Sequence, residues 1–183
     1  MKILKFIVII PILFMHFACG DSSTSNATEN IPQDWSLFDQ KDYSIHYPNT
    51  WTLDKSGEMG TSFVLFSPLD SKNDAFKENV NLLIQKFPGQ EISLEDYTNL
   101  SVEQIKKMLT NSKIIENQQL GSNGKEFSRV VYTGKQGVFD LKFEQYFWIG
   151  KEKAYVLTFT TEENEYANYK SIGEKILNSF HIK

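Results

Sequence analysis

Few residues in this chain are equipped for chemistry. Histidine occurs three times, at positions 16, 46 and 181, and cysteine once, at position 19. His16 and Cys19 belong to the leader and its cleavage point, which leaves His46 and His181, fewer than the three protein ligands of a catalytic zinc or the four of a structural one, and no cofactor is expected. His46 lies in the middle of an alternating segment, Tyr43-Ser-Ile-His-Tyr, on the face of Ser44. A lone strand histidine reads as a surface or hydrogen-bonded residue rather than a base. His181 is two residues from the end of the chain, where order is expected to be poor. Asp70, Asn73 and Asp74 share a loop but lack the EF-hand spacing and read as a solvated excursion. Glu162, Glu163 and Glu165 cluster where a helix should start and suit its dipole. A glycosidase needs two acids facing each other at about 5–10 Å, and nothing in the sequence pairs any two. The chain has no G-x-S-x-G, G-x-G-x-x-G, P-loop, H-E-x-x-H or C-x-x-C. No catalytic residue is therefore assigned. Tyr146 and Trp148 form the candidate binding surface. They share a strand face with Asp140, Lys142 and Glu144, and an exposed aromatic pair there would anchor a partner. A helix lying over that face would bury the pair instead.

Cys19 is explained by address rather than reactivity. Lys2 and Lys5 precede an apolar run from Phe6 to Phe17, too short for the roughly 20 residues that a span requires. The run ends at Phe17-Ala18-Cys19-Gly20. A small residue before a solitary cysteine resembles a bacterial lipoprotein signal, although His16 and Phe17 stand where that class usually has leucine and a small residue. The resemblance implies that residues 1–18 are removed and that Cys19 is lipidated. Palmitate-type chains would then contribute about 0.8 kcal/mol of anchoring per buried methylene. The alternative is a free thiol after an ordinary signal peptide or signal anchor.

Residues 19–33 are polar and rich in Ser, Thr and Asn, and read as a flexible tether. Residues 34–183 have the size of one domain. The whole chain carries 19 Lys+Arg against 23 Asp+Glu, and Arg129 is its one arginine. That balance and the export signal exclude nucleic acid as a partner.

The elements that must position any site read as follows. Short strands are expected at residues 35–39, 43–47, 51–53, 63–66 and 80–87. A helix spans residues 93–109, with Ser93 as N-cap, Glu95 and Asp96 in the first turn, and Leu94, Tyr97, Ser101, Ile105 and Met108 near its inner face. Further strands are expected at 113–116, 126–132, 138–149 and 154–160. Turns fall at Gly121-Ser-Asn-Gly124 and Gly134-Lys-Gln-Gly137, and a closing helix covers residues 162–178. Short turns require antiparallel pairing, and two amphipathic helices must cover the sheet, which makes the domain α+β.

Three segments read together: Tyr43-Ser-Ile-His-Tyr-Pro-Asn-Thr-Trp51; Phe66-Ser-Pro-Leu-Asp70 leading to Glu78-Asn-Val-Asn-Leu82; and Ala154-Tyr-Val-Leu-Thr-Phe-Thr160, a helix, then Asn178-Ser-Phe180. Their order and spacing resemble the PsbP-like superfamily, including the DcrB-type bacterial lipoproteins, over residues 35–183. The resemblance implies an α/β/α sandwich, with a central antiparallel sheet of six to seven strands flanked by helices. It implies no known enzymatic chemistry, since characterised relatives are mostly accessory or binding proteins. The expected function is thus a non-enzymatic lipoprotein of the bacterial cell envelope. It would be held to a membrane through Cys19 and would support another envelope component, with an envelope protein as the expected partner. A small-ligand binder and a carboxylate-based hydrolase of glycan or cell-wall material are the alternatives.

Overall fold

The computed structural model describes residues 31–122 and 125–183. The leader, Cys19 and most of the tether lie outside the described residues, as does the tip of the expected Gly121–Gly124 turn. The compact unit runs Ile31–Lys183. Its strands are β1 (Trp35–Asp39), β2 (Tyr43–Pro48), β3 (Thr52–Asp54), β4 (Thr61–Phe66) and β5 (Asn79–Lys86), followed by helix α1 (Leu94–Met108). Then come β6 (Thr110–Ser122), β7 (Lys125–Gln136), β8 (Phe139–Gly150) and β9 (Lys153–Glu162), helix α2 (Tyr166–Asn178) and β10 (His181–Ile182). Seven strands form one antiparallel sheet in the order β3-β4-β5-β9-β8-β7-β6. A second sheet, β1-β2-β10, has three strands. The α+β architecture and the large antiparallel sheet follow the sequence reading; the second sheet does not.

One face of the large sheet packs against α2 and the small sheet. Ile45, Phe63, Leu65, Val80, Leu82, Leu157, Phe159, Ile176 and Leu177 meet there with no exposure. Helix and sheet approach so closely that a Cβ on Gly173 would lie 2.4 Å from the Phe159 ring. The same face holds a buried ion pair. Glu144 has no exposure, and its Oε1 accepts from Arg129 Nε at 2.6 Å and from the Tyr146 hydroxyl at 3.2 Å. Its Oε2 accepts from the Tyr166 hydroxyl at 3.0 Å. Arg129 also bonds Glu116 on β6 and lies 3.7 Å from Glu174 on α2. Lys142 sits over the Tyr166 ring, 3.7 Å from its centroid.

The other face carries α1, through Tyr97, Val102 and Ile105 on Val130, Tyr132, Leu141, Phe143, Phe147 and Val156. Ser93 caps the helix by accepting from the Asp96 N–H at 3.0 Å. Met108, expected inside, is exposed. The helix ends at Met108, and the chain turns into β6 through Asn111 at φ 54°, a left-handed conformation that asparagine tolerates. β6 and β7 are longer than the sequence suggests, because each uses the other's backbone as a partner over its polar half. The expected turn at 134–137 contracts to Gly137-Val138, with Gly137 at φ 61°. Strand β9 takes residues through Glu162, so α2 begins later than expected, at Tyr166. His181 pairs with Ser44 in β10, so the end of the chain is ordered by the small sheet.

The loop between β4 and β5 is closed by its own polar groups. Asp74 accepts from the Asp70 and Phe76 amides at 2.9 and 3.0 Å, and the Tyr169 hydroxyl donates to Asp70 at 2.7 Å. Buried Glu78 accepts from the Ser67 hydroxyl at 3.1 Å. Burial raises its carboxyl above the ordinary range; its own amide and Ser67 offset part of this, and the Asp74 and Asp70 charges add to it.

Two substitutions probe this packing. Gly173→Ala improves helix propensity by about 1 kcal/mol. It should nonetheless destabilise the fold by about 1–3 kcal/mol, because the Phe159 ring has no room to yield. Chemical denaturation measures this, and pairing the change with Phe159→Leu should restore part of the loss. Glu78 keeps its proton to higher pH in the folded chain than in the unfolded one. It therefore contributes no penalty at low pH and destabilises increasingly as pH rises through the interval between those two values. Glu78→Gln retains an acceptor for Ser67 and should raise the melting temperature at pH 7. Its advantage should close as pH falls below about 4; an advantage independent of pH would contradict the assignment.

Candidate functional site

The face bearing α1 changes character along its strands. Beneath the helix, β9 presents Ala154 and Val156 and β8 presents Phe147. Farther along, the same face carries Thr158 and Thr160 on β9, Asn81 and Asn79 on β5, and Gln145 on β8. The register aligns these side chains in rungs. Asn81, Thr158 and Gln145 lie opposite one another across three strands. The next rung runs Asn79, Thr160, Phe143 and Tyr132. Neighbouring strands are about 5 Å apart and successive same-face residues about 7 Å. Five neutral hydrogen-bonding groups therefore form a small grid.

A trough of about 750 Å³ lies over this grid. Phe76, from the loop before β5, packs on Phe139 with ring centroids 5.2 Å apart, and together they make an apolar wall. Met59 and Val138 stand on the rim, 89% and 81% exposed. Tyr132 and Phe143 stack at 4.7 Å in the lining. Among the described residues, no α1 residue and no charged side chain lines the trough. Thr158 and Thr160 are buried although polar. Gln145 Nε2 donates to Thr158 Oγ1 at 3.0 Å, and Asn81 Nδ2 to Asn79 Oδ1 at 3.4 Å. Each bond uses one amide hydrogen, so further donors and acceptors remain in the grid.

The residues singled out from sequence sit elsewhere. Tyr146 and Trp148 lie on the α2 face. Tyr146 is buried, with its ring on Phe127 at 4.9 Å and its hydroxyl near Asn178. Half-buried Trp148 stacks on Phe127 at 5.4 Å and meets Phe180 at 5.2 Å. The His46 amide donates to Ser179 Oγ at 2.9 Å. Glu162, Glu163 and Glu165 precede α2, and Glu165 accepts from Asn168 at 2.7 Å. Among the described residues, no group of three His, Cys, Asp or Glu side chains is placed to hold a metal.

Carboxylates do converge, but on Arg129 rather than on a cleft: Glu116, Glu144 and Glu174 surround one guanidinium, whose positive charge they hold in place. A second hollow of about 590 Å³ includes Glu91 and Glu152, both exposed. There Glu152 accepts from the Gly89 amide at 3.0 Å, tying the β8–β9 turn to the segment after β5. A general acid needs a desolvated carboxyl, and this hollow supplies none.

Sequence reading missed the trough. Its signal is present as Asn-Val-Asn-Leu in β5, Leu-Thr-Phe-Thr in β9 and Gln145 between Phe143 and Phe147. Only the strand register shows that these polar positions share one face.

Among the described residues, no helix is long and apolar enough to cross a membrane. A search of the curated proteins finds no match. Solved structures share the fold. Cyanobacterial PsbP (CyanoP) from Synechocystis sp. PCC 6803 is similar at TM-score 0.63 and 18% identity, over 82% of this chain and 93% of that one. LpqN of Mycobacterium tuberculosis, described as involved in cell envelope biogenesis, aligns at TM-score 0.61 and 10% identity, over 81% and 90%. A protein of unknown function from Pseudomonas aeruginosa gives TM-score 0.56 and 14% identity, over 81% and 97%. The family model for PsbP-like proteins matches residues 8–182. With the match covering nearly the whole length and the fold shared, the chain belongs to the PsbP-like family.

Proposed function

We propose that this chain is a non-catalytic accessory module of the bacterial cell envelope, held to a membrane by lipid on Cys19, and that it binds another envelope component in the trough. The observation that carries the reading is the trough itself, a ligand-sized concavity on a sheet face where a helix would otherwise complete the core. The leader supports export and Cys19 supports anchoring. LpqN, which has the same fold, is described as involved in cell envelope biogenesis. A carboxylate hydrolase draws no support from the trough, whose lining has no acid.

Two measurements test the proposal. Metabolic palmitate labelling should mark the native chain, whereas Cys19→Ser should be unlabelled and should leave the membrane fraction. Equal labelling of the two removes the anchor. A photo-crosslinking residue placed at Val138 on the trough rim should trap an envelope component in living cells. The same probe at Leu37, which is exposed on the small sheet, should not. Identical adducts from both positions, or none from Val138, would remove the trough as the binding site.

A further inference from the structure

We infer that the trough's ligand is a neutral, polyhydroxylated chain, that is, a segment of glycan; the inference rests on the trough being the module's binding site. Asn79, Asn81, Gln145, Thr158 and Thr160 all carry side chains that donate and accept, and they repeat at about 5 Å across the sheet and about 7 Å along it. Sugar hydroxyls, which also donate and accept, recur on that scale. The Phe76–Phe139 wall and Met59 supply apolar surface for the C–H faces of the rings. The volume of about 750 Å³ lies within the range of small-ligand sites.

Other ligand classes fit worse. An anionic group would find no cation in the lining, on a chain that is itself acidic. An acyl chain would cover five polar side chains and leave without partners the donors and acceptors that the Gln145–Thr158 and Asn81–Asn79 bonds do not use, which is costly. A peptide recognised by strand addition needs unpaired backbone. The floor strands β5, β9 and β8 are each paired on both sides, so only side chains are available. The two threonines of the grid lie deep in its floor, each only 6% exposed.

The test titrates the full-length chain in detergent with maltohexaose, cellohexaose and chitohexaose, using isothermal calorimetry. At least one should bind saturably. Asn81→Leu and Gln145→Leu should each weaken it by about tenfold or more, as expected for a lost buried hydrogen bond. Thr158→Val, which suits a strand and keeps the volume, should do the same and covers the case in which either leucine variant misfolds. Leu37→Ser should leave binding unchanged. The inference is overturned if no hexasaccharide binds at millimolar concentration. It is also overturned if the trough variants bind as the native chain does, or if a neutral decapeptide binds instead with the same sensitivity. A Val138 crosslink in cells without saccharide affinity would sink the ligand class and leave the module standing. Saccharide affinity without a crosslink would sink the envelope role and leave the ligand class standing.

Discussion

The carboxylate of Glu144 lies in the middle of the sheet with no access to water, and the surrounding structure is arranged to satisfy it. A buried charge is tolerable only when paired and fully hydrogen-bonded. Arg129 supplies the charge, and the hydroxyls of Tyr146 and Tyr166 supply the remaining bonds. Because Arg129 also engages Glu116 and approaches Glu174, one guanidinium connects β6, β7, β8 and α2. Removing one member of such a pair typically costs about 3–5 kcal/mol, because the other is left charged and alone. Tyr166 and Glu174 tie α2 to this cluster, and the contact of Gly173 with Phe159 shows how near the helix comes.

That docking divides the sheet into two unlike faces. On the α2 side, helix, small sheet and closing Phe180 leave an almost continuous aromatic and aliphatic core. On the other side, α1 is too short to cover everything. It lies across β6, β7 and β8, and its Tyr97 reaches Gln85 at one end of β5, where its hydroxyl donates at 2.9 Å. The opposite end of β5 and β9 has no helix above it. Uncovered antiparallel faces become polar, yet here the loop carrying Phe76 and the β7–β8 hairpin fold over the polar rows and make a trough instead of a flat surface. The acidic loop, read from sequence as a solvated excursion, also has a structural part, since Asp74 braces the turn that presents Phe76.

The sequence revealed periodicity well and partnership poorly. Alternation in β8 separated Phe139, Leu141, Phe143 and Phe147 from Lys142, Glu144 and Tyr146, and the two faces are as that pattern implies. Ser93 announced the start of α1 because a cap is a local bond. The ends of β6 and β7 were illegible because their polar residues are extended only by virtue of pairing with each other. The fate of Tyr146 and Trp148 was open for the same reason: whether a strand face meets solvent or a helix depends on Asn178 and Phe180, which are distant in sequence. Arg129 stood out as the single arginine, but nothing local pointed it at Glu144, 15 residues away.

A binding site without charge has a kinetic consequence that bears on the proposed anchor. Electrostatic steering raises association rates only where fields of one sign extend from a site, and the trough lining carries no charged group. Hydrogen bonds that merely replace bonds to water give modest net affinity each. Such a site works best when its ligand is kept near by other means. A coil of about 15 polar residues, the length expected for the tether, spans about 20 Å. Confinement on that scale gives effective concentrations in the millimolar range. Under the proposed function, an anchored chain and a ligand fixed in the same envelope would supply that proximity.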